Sequence, residues 1–183
     1  MIAMFALGYL TGRERPAPAA AGAEAAAPVA ATAGPAPDIS NMSPRERFDR
    51  LYDRVMRASS SGDVATMQQF APMAIAAYGM LDSVDVDAQY DVALLKLHTG
   101  DVAGAKVLAD SIVRKAPTHL FGQMLRATIA RFSGDSATAK TAQAAFLRNY
   151  PGEMRRARPE YEKHKNAIDA FKAQVEGKPA PAL

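Results

Sequence analysis

A dipeptide of glycine and aspartate recurs in this chain at nearly regular intervals. Gly62-Asp63, Gly100-Asp101 and Gly134-Asp135 each lie between two stretches whose apolar residues are spaced as on one face of an α-helix. Glycine adopts the left-handed conformation that ends many helices, and aspartate accepts a hydrogen bond from the first turn of the next helix. The three glycines are separated by 38 and 34 residues, a period typical of stacked helical hairpins. We therefore predict three hairpins, each turning at one of these dipeptides.

The residues between the turns predict where the helices begin and end. Ser43, Pro44 and Glu46 form a capping-box sequence that starts the first helix. We expect residues 44–175 to be almost wholly helical, with breaks near Gly62, Asp82, Gly100, Pro117, Gly134 and Pro151. Pro159 to Val175 reads as one further helix, with a polar outer side that suits the end of a repeat array.

The repeat unit resembles the tetratricopeptide repeat (TPR). The positions that match at family spacing are Ala93, Gly100, Asp101, Ala105 and Pro117 in the second unit, and Ala127, Gly134, Asp135, Ala139 and Pro151 in the third. The first unit departs from the pattern, because Met67 replaces the small residue and Gly79 stands where proline is expected. The resemblance covers about Phe48 to Glu153 and implies an all-α fold: a short right-handed α-solenoid with a C-terminal capping helix. We assign residues 43–176 to this domain and 177–183 to a loose tail.

The N-terminal part of the chain has a different composition. Residues 1–12 are apolar and uncharged, and they supply roughly half of the ~20 residues that a membrane span needs. We interpret them as the end of a membrane anchor; a frayed N-terminus and a cleaved signal are the alternatives. Residues 13–42 are rich in alanine and proline and predict a disordered linker. We expect the domain on the periplasmic side of an inner membrane, although Arg13 and Arg15 favour the cytoplasmic side.

The sequence carries no pattern typical of an enzyme. It has no cysteine, and its three histidines, His98, His119 and His164, share no metal-ligand spacing. It contains no nucleophile elbow, phosphate-binding loop or dinucleotide fingerprint. Since the recurring aspartates are explained as helix caps, we predict no catalytic residues, no cofactor and no metal, with structural roles for the histidines.

The TPR resemblance implies a concave groove lined by the first helix of each hairpin, in which a partner binds. We call the residues that it places there the predicted groove: Tyr52, Met56, Tyr90, Leu94, Met124, Thr128 and Arg131. Asp49, Asp87 and Phe121 flank them. An apolar surface with tyrosines suits a helix or an apolar peptide. Alternatively, the same residues pack against the capping helix or against one another.

The sequence thus predicts a non-catalytic, membrane-tethered scaffold that binds a protein or peptide partner. One alternative is a self-associating module whose groove is filled by a second copy. Another is an electrostatic binder of nucleic acid or anionic lipid through the basic cluster, defined as Arg148, Arg155, Arg156, Arg158, Lys163 and Lys165. Glutamates are interleaved with these residues and the net charge is only +3. We therefore interpret the basic cluster as a solvent-exposed face of the helix and do not expect nucleic acid to be a partner.

Overall fold

The computed structural model describes residues 42–179, and within this range the chain is all α-helical and contains no strand. The helices are α1 (Pro44–Ser61), α2 (Val64–Tyr78), α3 (Val86–His98), α4 (Val102–Lys115), α5 (Leu120–Phe132), α6 (Ser136–Met154), α7 (Pro159–Lys163) and α8 (Lys165–Val175). None of the helices in the described range is long and apolar enough to cross a membrane. The anchor predicted at 1–12, nearly all of the linker and the end of the tail lie outside the described residues.

The Gly-Asp turns have the conformation that the sequence predicts. The glycine has a positive φ each time: 74° at Gly62, 82° at Gly100 and 71° at Gly134. The aspartate then caps the next helix by accepting a backbone hydrogen bond: Asp63 from Thr66 N at 3.0 Å, Asp101 from Gly104 N at 2.8 Å, and Asp135 from Thr138 N at 2.9 Å. The two residues therefore end one helix and start the next, as predicted.

The helices pack in the order in which they follow along the chain. Each Gly-Asp turn joins two helices in contact, so α1–α2, α3–α4 and α5–α6 form helical hairpins. The first helices of the hairpins are also neighbours, because α3 contacts both α1 and α5. We call the surface made by α1, α3 and α5 the first-helix face. This order agrees with stacked hairpins, and the assignment to the tetratricopeptide family remains a prediction.

Small residues are buried where the helices meet. Ala93, Ala105 and Ala127 are fully buried, and Ala139 is 5% exposed. Side chains as small as alanine let two helix backbones approach closely, and a larger side chain at such a place forces them apart. The recurrence of alanine with the repeat is therefore explained by packing.

Two predicted boundaries are wrong. Pro151 does not end the sixth helix, because α6 continues to Met154. The turn after this proline contains Glu153, which is buried and hydrogen-bonded to other parts of the fold, so tertiary contacts hold it in place. The single helix predicted from Pro159 to Val175 is divided in two at His164, whose φ of −104° and ψ of 18° interrupt the helix. We call residues 159–175 the C-terminal segment.

Candidate functional site

The predicted groove divides into a buried part and an accessible part. Tyr52, Tyr90 and Met124 are no more than 5% exposed. By contrast, Met56, Leu94 and Thr128 are half-buried, and Arg131 is exposed. The four accessible residues lie one turn or more further along α1, α3 and α5 than the three buried ones.

The C-terminal segment covers Tyr52 and Tyr90. The imidazole ring of His164 packs edge-on against one aromatic ring from each first helix. The centroid distances are 6.4 Å to Tyr52 on α1, 5.1 Å to Tyr90 on α3 and 5.2 Å to Phe121 on α5. The two tyrosines thus face the same side, as predicted. Both tyrosines pack against the chain's own C-terminal segment, which is the alternative that the sequence analysis left open for the predicted groove.

Ion pairs hold this segment on the first-helix face. His164 Nε2 lies 2.9 Å from Asp87 Oδ1 and 3.2 Å from Asp91 Oδ1. The ammonium of Lys163 donates at 2.9 Å to the other carboxylate oxygen, Oδ2, of each aspartate. Arg45 on α1 also donates to Asp87 Oδ2, at 2.7 Å. We call these five residues the Asp-His cluster; it joins α1, α3 and the C-terminal segment.

Burial and hydrogen bonding shift the pKa values of Asp87 and His164 in opposite directions. Burial alone would raise the pKa of Asp87, but hydrogen bonds from His164 and Lys163 hold that pKa at about 2. Burial alone would lower the pKa of His164, but its contacts with Asp87 and Asp91 raise that pKa to about 9. The cluster therefore favours an ionised Asp87 and a protonated His164 at neutral pH.

One carboxylate oxygen of the Asp-His cluster lacks a donor. Asp91 is fully buried, and among the described residues its Oδ1 has no hydrogen-bond partner. His164 Nε2 carries at most one proton, and its shorter contact is with Asp87. One carboxylate oxygen from each aspartate and one imidazole nitrogen lie within 4.8 Å of one another. Asp87 and Asp91 lie 77 and 73 residues before His164 in the sequence, which is why spacing along the chain did not reveal the cluster.

A second polar cluster anchors α7 to α5 and α6. Glu153 is 2% exposed and accepts hydrogen bonds from Thr118 Oγ1 at 2.6 Å, from the Tyr161 hydroxyl at 2.9 Å and from Arg158 Nε at 3.0 Å. The Tyr161 hydroxyl in turn accepts a hydrogen bond at 3.0 Å from the backbone N–H of Leu120, in the first turn of α5. Each of these polar groups thus has a partner inside the fold.

His119 belongs to this second cluster and has a structural role. Its Nδ1 accepts the backbone N–H of Phe121 at 3.3 Å, so the proton of the neutral ring lies on Nε2, which is 3.2 Å from Glu160 Oε1. Burial lowers the pKa of His119, which favours this neutral form. His98, the last residue of α3, likewise has its pKa lowered by burial.

Most of the basic cluster is paired with carboxylates. Within the described residues, four of its six members have an acidic partner within 4.0 Å: Arg156 and Arg158 pair with Glu153, Lys163 with Asp91, and Lys165 with Asp169. Charges that are paired inside the fold attract a distant polyanion weakly. This pairing supports the interpretation of the cluster as part of the structure.

Sequence reasoning missed the Asp-His cluster, although one signal was present. The third helix has apolar residues on two sides, which predicts that it is buried, and Asp91 interrupts them. A buried aspartate requires a partner, but the sequence does not show that this partner is the Lys163-His164 pair. Comparisons of the chain with models of protein families, with curated proteins and with solved structures found no match. The function is therefore argued from the geometry alone.

Proposed function

We propose that this protein is a non-catalytic interaction module that binds a helix or peptide of a partner protein on its first-helix face. The observation that supports this proposal is that the face already receives a short helix. The helix α7 and the residue after it contact α1, α3 and α5 through ion pairs and aromatic packing. A surface that accommodates one helix in this way has the chemistry of a helix-binding groove.

The part of the face open to a partner lies beyond the C-terminal segment. It comprises the accessible residues of the predicted groove: Met56, Leu94, Thr128 and Arg131. Next to Met56, the same helix presents a shallow surface depression lined also by Asp53, Arg57, Ser60 and Ser61. Apolar, hydroxyl and charged groups alternate here, so we expect an amphipathic helix as the partner, with its apolar side toward Met56 and Leu94.

The buried polar groups support a non-catalytic role. His119 is 1% exposed and His164 is 9% exposed, and both form side-chain contacts inside the fold. A general acid or base must lie within hydrogen-bond reach of the proton that it transfers. Both histidines therefore serve the attachment of the C-terminal segment.

Site-specific photocrosslinking tests the proposed surface. Benzoylphenylalanine is introduced into the full chain in its host cells at Met56, at Thr128 or, as the control, at Val107. Val107 is 66% exposed but lies on α4, a second helix of a hairpin. We expect Met56 and Thr128 to crosslink to the same protein and Val107 not to crosslink to it. The same product from all three positions, or none from the first two, would contradict the proposal, and a crosslink to a second copy would replace it with self-association.

We further propose that the N-terminal segment attaches this module to a membrane. The support is the apolar, uncharged run of residues 1–12 and the linker composition that follows it. Membrane fractions of cells that express the full chain, or the chain without residues 1–12, are washed at high salt and compared. Retention that depends on residues 1–12 is the expected result, and equal release of the two chains would refute the anchor.

A further inference from the structure

The Asp-His cluster presents three ligand atoms of the types that bind transition metals. Asp87 Oδ1 and Asp91 Oδ1 lie 2.9 and 3.2 Å from His164 Nε2. A metal ion about 2.0–2.2 Å from each ligand holds neighbouring ligands roughly 3 Å apart. Both aspartates thus place a carboxylate oxygen at a distance from His164 Nε2 that suits a common ion.

The Oδ2 atoms of Asp87 and Asp91 are already held in place by hydrogen bonds. Lys163 donates to Oδ2 of both Asp87 and Asp91, and Arg45 donates to Oδ2 of Asp87. Ligating carboxylates in metal sites are themselves hydrogen-bonded, which fixes their orientation. Because Lys163 and Arg45 bind the Oδ2 atoms, the Oδ1 atoms remain available to a metal ion.

The Oδ1 atom of Asp91 is an independent indication that a ligand binds here. It belongs to a fully buried side chain, and within residues 42–179 its 3.2 Å contact with His164 Nε2 is not a hydrogen bond, because that nitrogen lies nearer to Asp87 Oδ1. A buried acceptor without a donor costs about 1–3 kcal/mol, and more if the group is charged. A cation bound between Oδ1 and the imidazole nitrogen would remove this cost.

The charges around the site also agree with a divalent cation. Among residues 42–179, the carboxylates of Asp49, Asp85, Asp87 and Asp91 form ion pairs with two side chains of fixed positive charge, those of Arg45 and Lys163. Four negative and two positive side chains give the site a net charge of −2. A divalent ion that displaces the proton of His164 and binds the neutral imidazole balances this charge.

We propose that Asp87, Asp91 and His164 bind one divalent transition-metal ion, of which Zn²⁺ is the representative, and that this ion fastens the C-terminal segment to α3. Imidazole suits zinc and its neighbours in the first transition row, whereas Mg²⁺ prefers sites made of oxygen ligands alone. The three protein ligands leave one position of a tetrahedral ion to a water molecule. This site does not depend on the proposed partner, so either proposal can fail without the other.

Metal titration of the full chain tests the proposal. The chain is produced without a polyhistidine tag and stripped with a chelator, and Zn²⁺ is titrated in competition with a coloured zinc indicator. The variants are His164→Gln and Asp91→Asn, which keep similar shapes, and the control is His98→Gln, which removes a histidine outside the cluster. Circular dichroism checks that each variant is folded.

We expect the unmodified chain and His98→Gln to bind one equivalent of Zn²⁺ with equal affinity. His164→Gln and Asp91→Asn should lower the zinc affinity about 100-fold or more, beyond the ~10–100-fold that loss of a residue hydrogen-bonded to a ligand costs. Mg²⁺ should not compete. Zinc binding that is absent, or equal in the unmodified chain and His164→Gln, would overturn the proposal, and the cluster would then be an ion network closed by a proton on Nε2.

Cobalt absorption gives a second test that needs no variant. Co²⁺ in a site of four or five ligands absorbs visible light far more strongly than hydrated Co²⁺, and Zn²⁺ added afterwards should remove the band. If the His164 and Asp91 variants do not fold, this spectrum of the unmodified chain decides the matter. A spectrum identical to that of Co²⁺ in buffer would overturn the proposal.

Discussion

Replacing Tyr161 by phenylalanine removes a single hydroxyl group from the centre of the contact between α7 and the hairpins. Tyr161 is 1% exposed. Its hydroxyl donates to Glu153 Oε2 at 2.9 Å and accepts the Leu120 N–H at 3.0 Å. The aromatic ring itself packs against Phe121, with 5.4 Å between the centroids, and phenylalanine keeps that contact. The substitution therefore tests two hydrogen bonds and leaves the packing in place.

The expected cost follows from the groups that lose their partner. Each hydrogen bond contributes about 1 kcal/mol net, and a buried donor left unpaired costs about 1–3 kcal/mol. Leu120 N–H becomes such a donor, whereas Glu153 keeps its bonds from Thr118 and Arg158. We expect Tyr161→Phe to lower the free energy of unfolding by about 2–3 kcal/mol.

Urea denaturation of the full chain, followed by far-ultraviolet circular dichroism, measures this change. The matched control is Tyr150→Phe, because the Tyr150 hydroxyl is half-buried and lies 3.4 Å from its acceptor on Asp169, beyond the usual hydrogen-bond range. The control should cost about 0.5 kcal/mol or less. If the two substitutions lowered the unfolding free energy equally, α7 would not be docked through Tyr161.

Three further substitutions test the packing of the hairpins, the cap of α6 and the buried carboxylate of Glu153. Ala105→Leu should cost about 1–3 kcal/mol, because Ala105 is fully buried, while leucine at the exposed Ala103 of the same helix should be nearly neutral in thermal melts. Asp135→Ala should cost about 1 kcal/mol in urea by removing the cap of α6, and asparagine there should restore most of it. Burial alone would raise the pKa of Glu153, but hydrogen bonds from Thr118, Tyr161 and Arg158 lower it below 4.5. Its contribution to stability is thus present above pH 4.5 and lost as the pH falls through the lowered value. Urea midpoints of Glu153→Gln between neutral and acid pH should lack this dependence, and the same slope in both proteins would contradict the assignment.

The hairpins could be predicted from the sequence because their determinants are local. Gly62, Gly100 and Gly134 end helices, and the aspartate after each caps the next helix. Both effects involve groups within a few residues of one another, so a pattern of residue types identifies them.

The errors concern places where distant contacts override local preference. Pro151 lacks an N–H and disfavours the interior of a helix, but the buried bonds of Glu153 hold the turn that follows it. The residues near His164 favour a continuous helix, yet that histidine interrupts it and bonds to an aspartate 77 residues earlier. Nothing in the local sequence encodes either partner.

The predicted groove shows the same limit. The resemblance to the tetratricopeptide repeat implied that Tyr52 and Tyr90 face one side of neighbouring helices, and both rings contact His164. It could not show that this side is covered, because the covering residues are specified by charges on separate helices: Lys163 and His164 on one side, and Asp87 and Asp91 on the other. Partner binding at the accessible residues stays a prediction.

The contact between the C-terminal segment and the first-helix face is the central claim, and nuclear Overhauser spectroscopy on the isotope-labelled full chain tests it most directly. The imidazole ring of His164 lies 5.1 Å from the ring of Tyr90 and 5.2 Å from that of Phe121, centroid to centroid. We predict cross-peaks from the imidazole protons to the ring protons of both residues, which are on different helices. Their absence, together with His164 chemical shifts equal to those of an unstructured peptide, would contradict this account.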